Sequence, residues 1–578
     1  MINIKINGKD LSVSENTTIL QAARQLNIKI PTLCHMSLHV ANERNCTSSC
    51  RICVVEVEGR RNLVTACSTL CQEGMNIKTH SLRVINARRT ILELLLSDHP
   101  LECVTCDKNG VCILQNLAQK YGIYENAYKG EMSKKNEQES SIAILRNNAK
   151  CILCGACETV CNKVQTVKIL THRGRGFTTT IGPAFELGLE NTPCTFCGQC
   201  VSVCPTGALT QTSMIGKVWK NLADPNKHVV VQVAPAVRVA LGELFDRPLG
   251  EVVTKKMVAA LRQIGFDKVF DTDFAADVTI LEEAHELLER LNKKEKLPIL
   301  TSCCPGWINF IEHQFPDLVD IPSSCKSPHE MFGSLVKSYY AEKVGWDPKD
   351  IVVVSIMPCL AKKYEANRKE LAHDGLKDVD YVLTTRELGK MIKEAGLNFN
   401  DLPDDEFDSP LGESTGAGVI FGASGGVIEA ALRQVKYDLD GEKTQLEFNE
   451  LRGLEGVKVC EVEVKNTKLR IACASGLGNA RKVLEAVKLG KEHFDAIEIM
   501  ACPGGCISGG GQPIHKRKLS NTIIKARRDG LYKEDRSKEL RISSLNKDVQ
   551  KLYKEYIGEI GGKRAHELLH TVFFSKED

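Results

Sequence analysis

The distribution of apolar and polar positions changes character near residue 210. Before it, apolar residues come in short alternating pieces. "MINIKINGKDLSV" (1–13) and "VVEVEG" (54–59) read as half-buried strands of period two. From Tyr128 to Lys150, "YKGEMSKKNEQESSIAILRNNAK" is mostly polar and predicts a connector between modules. After residue 210 the apolar positions gather in continuous runs: "HVVVQVAPAV", "LPILTSCCPGW", "DIVVVSIMPC" and "FDAIEIMACPGGC". Each predicts a strand buried on both faces that stops at a Pro or Cys motif, and helical stretches such as "TILEEAHELLERLNKK" lie between them. The fold class expected is an α/β region preceded by smaller α+β modules. Ligands in open α/β sheets bind beyond the carboxyl ends of the strands, so Cys304, Cys359, Cys502 and Cys506, spread over about 200 residues, are placed to converge.

Composition sharpens this only in part. The 578 residues exceed what one core normally organises. A net charge of +3 with 26% charged residues gives no bias toward nucleic acid or membrane. The alternating N-terminus has no signal-peptide core and no apolar run approaches a membrane span, which predicts a cytoplasmic protein. Cysteine is the outlier, with 25 residues, 17 of them in the first 204 positions. In a reducing compartment that usage points to metal or redox chemistry rather than disulfides.

Spacing then selects the metal. "CILCGACETVC" and "CTFCGQCVSVCP" are two runs of C-x2-C-x2-C-x3-C. In two-cluster ferredoxin folds the fourth cysteine of each run serves the other run's cluster. One [4Fe-4S] cluster is therefore expected on Cys151, Cys154, Cys157 and Cys204, and a second on Cys161, Cys194, Cys197 and Cys200. Zinc, the alternative, favours isolated C-x2-C pairs. Asn162 replaces the proline after the first run, which is not a ligand. Near the N-terminus, "CRICVVEVEGRRNLVTAC" offers Cys50, Cys53 and Cys67 to a [2Fe-2S] cluster. Cys34 is the expected fourth ligand, Cys46 an open substitute, and Cys71 a spectator.

"HPLECVTCDKNGVC" sets His99, Cys103, Cys106 and Cys112 at H-x3-C-x2-C-x5-C. This resembles the [4Fe-4S] site with one histidine and three cysteine ligands found in iron hydrogenases and in the large iron-sulfur subunit of respiratory complex I. Downstream, "TSCCPGW" (301–307), "MPCLAKKYEA" (357–366) and "MACPGGCISGGGQP" (500–513) resemble the three signature motifs of the [FeFe]-hydrogenases, and "GGKRAHELLHTVF" resembles their C-terminal segment. The order of modules is similar to that of the large monomeric clostridial type: a [2Fe-2S] domain (1–80), a histidine-and-cysteine [4Fe-4S] domain (81–127), a two-[4Fe-4S] domain (128–210) and a catalytic domain (211–578).

The resemblance implies an H-cluster, a cubane joined through a cysteine sulfur to a diiron unit carrying CO, CN and azadithiolate. Cys304, Cys359, Cys502 and Cys506 would hold the cubane, with Cys506 as the bridging thiolate. Lys362 would donate to a cyanide; Met357 and Met500 would pack beside the bridging carbonyl; Phe421 and Gly422 would wall the pocket, with Pro235 and Ala236 lining it. Cys303 matches the proton donor to the diiron unit, followed outward by Glu283, Ser323, Glu286 and Arg290. Read without the resemblance, Glu283, Glu286 and Arg290 are an ordinary solvated ion-pair stripe on one helix face. The implied activity is reversible reduction of protons to H2 with electrons from ferredoxin or a similar small carrier, after maturation proteins supply the diiron unit. Three alternatives differ in role: an H2 sensor, a subunit of an electron-bifurcating complex coupled to a nicotinamide nucleotide, and a non-enzymatic iron-sulfur assembly factor sharing the C-terminal fold. "GLGNAR" (476–481) is too weak a pattern to mark a nucleotide site. The chain departs from the family's common residues at Ala236 (often Ser), Cys325 (often a small residue) and His329 (often Gln).

Overall fold

The computed structural model describes residues 1–36, 48–133, 138–441, 447–453, 455–464, 467–514 and 521–576. Cys46 lies outside the described residues. The alternating N-terminal pieces form a five-stranded sheet in the order Lys9–Val13, Ile2–Ile6, Asn76–Lys78, Val54–Val57, Val64–Thr65. Ile4, Ile6, Val55 and Ile77 turn inward against the helix Ile19–Gln25, which a Thr18–Gln21 capping box starts. Helices Leu82–Ser97 and Ile113–Lys120 follow, and Leu92, Leu96 and Leu114 share one core with Cys34, Cys50, Cys112 and Cys154. Three successive modules therefore meet in a single apolar cluster.

The expected connector is partly structured. Gln138–Ser140 and Ile144–Asn147 are strands of a three-stranded antiparallel sheet completed by Leu209–Gln211. Buried Ala143 and Ile144 supply the apolar anchor that a polar average over the segment conceals.

Beyond residue 210 the described residues form two four-stranded sheets. In one, Lys268–Asp271, His228–Val233, Ile351–Met357 and Tyr381–Thr384 are all parallel. In the other, Ile299–Leu300, Ala496–Met500 and Thr467–Ser475 are parallel, and Val457–Val464 closes the edge antiparallel. The expected strand in "LPILTSCCPGW" is only two residues long. Thr301 still donates to the Ile497 carbonyl (3.1 Å), but Pro305 then begins the helix Pro305–Gln314, so Ser302, Cys303 and Cys304 leave the ladder and face inward. The helix Thr272–Lys293 packs against Pro328–Leu335, Gly416–Val419 and Gly426–Asp440, and every residue from Thr272 to Ala284 is buried. Among the described residues no helix is long and apolar enough to cross a membrane.

The "GLGNAR" turn is occupied by the chain itself. A Cβ on Gly478 would sit 2.4 Å from the Val164 carbonyl oxygen, the Leu477 amide donates to Gln165 Oε1 (2.9 Å), and Arg481 Nε donates to Thr166 Oγ1 (3.0 Å). Gly478 serves domain packing.

Candidate active site

Strands from both sheets end on one locality. Ala496–Met500 runs into Cys502, Ile351–Met357 into Cys359, and Cys304 caps the helix that follows Ile299–Leu300. Gly505 (φ +99°) carries the chain from Cys502 to Cys506; a side chain there would press on the Ser424 amide at 2.5 Å. The Ala501 amide donates to Cys304 Sγ (3.4 Å), and Gln199 Nε2 donates to Cys502 Sγ (3.3 Å). Burial raises all four thiols, and neighbouring thiols raise three of them further: Cys359, pushed up to about 12, feels Cys304, Cys502 feels Cys359 and Cys304, and Cys506 feels Cys304 and Cys359. Four buried soft donors at the ends of converging elements, all with raised pKa values, are suited to an iron-sulfur cluster, whose positive charge would hold them as thiolates. The residues fit the group.

Over these thiols, Ala236, Phe421 and Met500 share one apolar cluster with the half-buried Cys303 and Cys506. Gly422 packs on it, where a Cβ would lie 3.2 Å from that of Ala236. Pro235 is buried at the first position of the short helix Pro235–Arg238. Met357, the last residue of the strand Ile351–Met357 and two residues before Cys359, packs in the core around the all-parallel sheet. Lys362 is no surface lysine: its ammonium donates to Glu365 Oε2 (2.7 Å), Ser327 Oγ (2.8 Å) and the Cys303 carbonyl (3.2 Å). Burial alone would lower its pKa, but the Glu365 charge prevails and raises it, so the ammonium persists.

The acidic stripe is not solvated either. Glu283 is 5% exposed, and burial followed by the charge of Glu286 pushes its carboxyl up to about 8. Ser323 Oγ donates to Glu286 Oε2 (2.6 Å), and Arg290 donates to Glu286 Oε1 (2.5 Å) at a cleft lined by Glu286, Arg290 and Ser324. Burial, then the charge of Glu283, raises the Cys303 thiol well above its ordinary value. No direct hydrogen bond joins Glu283 to Cys303 or to Ser323 among the described residues. Cys325 is buried against the same carboxylates, and its amide donates to Ser323 Oγ (3.2 Å).

In the accessory modules, one cavity is lined by Cys151, Cys154, Cys157 and Cys204, and another by Cys161, Cys194, Cys197 and Cys200. Near the N-terminus, Cys50 Sγ lies 3.4 Å from Cys34 Sγ, and Cys53 Sγ 3.3 Å from Cys67 Sγ. Cys34, hydrogen-bonded by Cys50 and Cys67, falls to about 2, while Cys50 and Cys67 rise. Cys71 packs in the core of that domain. Cys106 Sγ approaches Gly207, and Cys112 Sγ lies 3.6 Å from the Pro205 carbonyl, so this triplet abuts the segment after Cys204. His99 follows the end of the helix Leu82–Ser97, its amide bonded to Leu96.

Sequence reasoning missed Gln199, Ser327 and Glu365 as parts of the site. Gln199 sits inside "CGQC", where only the cysteines carried a signal, and its partner Cys502 is 303 residues away. Glu365 lies inside the quoted "MPCLAKKYEA", three residues after Lys362, a spacing that brings both onto one helix face.

Comparison with known proteins agrees along the whole length. Residues 227–510 match the C-terminal domain of the iron only hydrogenase large subunit, and 521–576 match the iron hydrogenase small subunit. Residues 1–81 match a 2Fe-2S cluster binding domain, 88–127 the NADH-ubiquinone oxidoreductase-G iron-sulfur binding region, and 150–208 a 4Fe-4S dicluster domain. The chain is 53% identical to the NADP-reducing hydrogenase subunit HndD of Solidesulfovibrio fructosivorans, covering 100% of this chain and 99% of that one. The chain belongs to the iron-only hydrogenase family. It is an [FeFe]-hydrogenase, an oxidoreductase with ferredoxin-like iron-sulfur domains ahead of its catalytic fold. This hydrogenase is also 42% identical to iron hydrogenase 1 of Clostridium pasteurianum over 99% of both chains. The apo [FeFe]-hydrogenase of Chlamydomonas reinhardtii superposes with a TM-score of 0.58 at 42% identity, covering 64% of this hydrogenase and 100% of that chain.

Proposed function

We propose that this hydrogenase interconverts protons and H2 at an H-cluster held by Cys304, Cys359, Cys502 and Cys506. One [2Fe-2S] and three [4Fe-4S] accessory clusters would carry the electrons. The observation that carries this reading is the junction of the two halves. Gln199, beside Cys200 and Cys197, donates to Cys502, and Gly198 and Gly510 approach so closely that a Cβ on either would meet the other's backbone within 3.1 Å. The last accessory site thereby abuts the catalytic loops.

When bound, the H-cluster supplies an iron with an open coordination site and the electrons of 2 H+ + 2 e− ⇌ H2. The chain's own part is to hold charge and move protons. Cys303 keeps its proton at neutral pH and releases it from Sγ; Glu283, protonated below about pH 8, replaces it. Ser323 Oγ, donor and acceptor at once, links to Glu286, and Arg290 fixes Glu286 at the cleft. Lys362 offers a buried fixed cation to an anionic ligand of the diiron unit.

For the electron partner we propose a ferredoxin or similar small carrier. A second reading is favoured by the 53% whole-length likeness to a subunit named NADP-reducing, namely that this hydrogenase passes electrons to a companion subunit that handles the nicotinamide nucleotide. The test is H2 evolution by the matured protein with reduced ferredoxin, with a small dye, and with NADPH, each alone. Turnover with ferredoxin supports the first reading. Turnover with the dye only supports the second, and no turnover with any donor, despite CO and CN infrared bands, would overturn the proton-reduction reading.

A further inference from the structure

His329 is 1% exposed on the helix Pro328–Leu335, and it has polar partners on every side. Its Nδ1 lies 2.9 Å from Glu365 Oε2, from the helix Ala361–Glu365, and 3.0 Å from Glu330 Oε1 on its own helix. Its Nε2 lies 2.8 Å from Ser355 Oγ, on the strand Ile351–Met357. Gln232, from the strand His228–Val233, bonds its carbonyl. The same Glu365 oxygen takes the Lys362 ammonium at 2.7 Å. One carboxylate oxygen thus stands between two cations, and one of them, Lys362, reaches the Cys303 carbonyl at the catalytic site.

Charge counting makes His329 more than a packing residue. Glu330 and Glu365 are both buried, and among the described residues the one carboxylate paired with Lys362 is Glu365. Among the described residues the partner of Glu330 Oε1 is the His329 imidazole, at 3.0 Å. Two buried carboxylates balance one lysine only if the imidazole is charged. Burial opposes that charge, but the Glu330 charge and the hydrogen bonds to Glu330 and Glu365 outweigh it, so the pKa of His329 is raised. Glu365 is held down to about 2, against burial, by Lys362 and His329. Lys326, the next cation on this side, is committed to Asp378 at 2.7 Å. The three side chains His329, Glu330 and Glu365 could meet one metal ion, but the Lys362 ammonium already occupies the Glu365 oxygen that such an ion would need.

We propose that His329 is a positioning residue for Lys362: by gaining or losing its proton it sets, through their shared Glu365 oxygen, how much of the lysine's charge is free to meet an anionic ligand bound over Cys303. With the imidazole charged, Glu365 is shared and the ammonium's field extends into the site. With it neutral, Glu365 has one cation and draws the ammonium toward itself. The reading rests on the H-cluster assignment above.

The test uses the full-length matured enzyme and follows its CN infrared bands between pH 6 and 9. The parent should show a reversible shift with pH that survives in a Glu283→Gln background, since Glu283 itself titrates near pH 8 in the same range. His329→Gln should keep the bands and the accessory-cluster spectra but lose the shift. Glu330→Gln, which removes the carboxylate that favours the charged imidazole, should move the midpoint to lower pH. Glu365→Gln should abolish the shift by breaking the link. Bands that do not move in the parent, a shift of equal size in His329→Gln, or an unmoved midpoint in Glu330→Gln would each overturn the proposal. Absence of CN bands in the matured parent would instead overturn the H-cluster assignment, and the proposal with it.

Discussion

The two halves of this hydrogenase gather thiols in opposite ways. In the first 210 residues the thiols that line each four-cysteine cavity come from runs no longer than a dozen residues, two runs at most per cavity, and few charged groups intrude. In the catalytic half four thiols arrive from strand ends scattered over about 200 residues, and buried Glu283, Glu365, His329 and Lys362 surround them. A site that only stores an electron is specified by ligand spacing. One that must also deliver protons needs several ionisable groups held out of water together, and a large sheet-and-helix core gives room to bury them.

The hardest test of that contrast removes one thiol from each half. Cys506→Ala should abolish H2 turnover with any donor together with the diiron infrared bands. Cys154→Ala should delete one accessory-cluster signal and keep dye-driven turnover. Equal loss of dye-driven activity in both would collapse the distinction.

A smaller effect separates proton delivery from cofactor holding. Cys303→Ala should leave every cluster assembled while turnover falls by at least about a hundredfold, with Cys303→Asp retaining more. Near-parental rates in the alanine variant would remove Cys303 from the route.

Glu283 gives a quantity with a definite sign. Its folded pKa, about 8, is above the ordinary 4.5, so the folded state holds a proton that the unfolded chain has released, and this costs stability as pH rises between those values. Glu283→Gln should therefore gain on the parent by about 1.4 kcal/mol per pH unit between pH 5.5 and 7.5 and level off above 8. Denaturant midpoints of the two proteins that stay parallel over that range would show that the carboxyl is not held protonated.

The finest probe is Ala236→Ser. Residue 236 is fully buried beside Phe421, Gly422 and Cys506, so a new hydroxyl should shift a CN band and leave the accessory spectra untouched. An identical infrared spectrum would mean that this wall does not face the diiron unit.

Much of this was legible in the chain. The paired C-x2-C-x2-C-x3-C runs name their thiols because neighbours in sequence are neighbours in space, and both expected sets line separate cavities. Continuous valine runs marked strands whose ends converge. The partners that give the catalytic thiols their surroundings were not legible: Gln199 to Cys502 and His329 to Glu365 join residues on different elements, and no local period encodes such pairs. The strands at 138–147 were hidden because two buried apolar residues, Ala143 and Ile144, suffice to anchor a short strand pair in a polar stretch.

The turn at Val164–Thr166 has a consequence in time. Gln165 Nε2 is fastened to the Ala501 carbonyl 336 residues later, and its Oε1 to the Leu477 amide. At about 5–20 residues per second on the ribosome, the accessory module emerges roughly 15 to 70 seconds before the segment that covers this face. During that interval the module stands with its docking surface bare, so the last accessory site is open to cluster loading from the side that Cys502 and Gly510 later close.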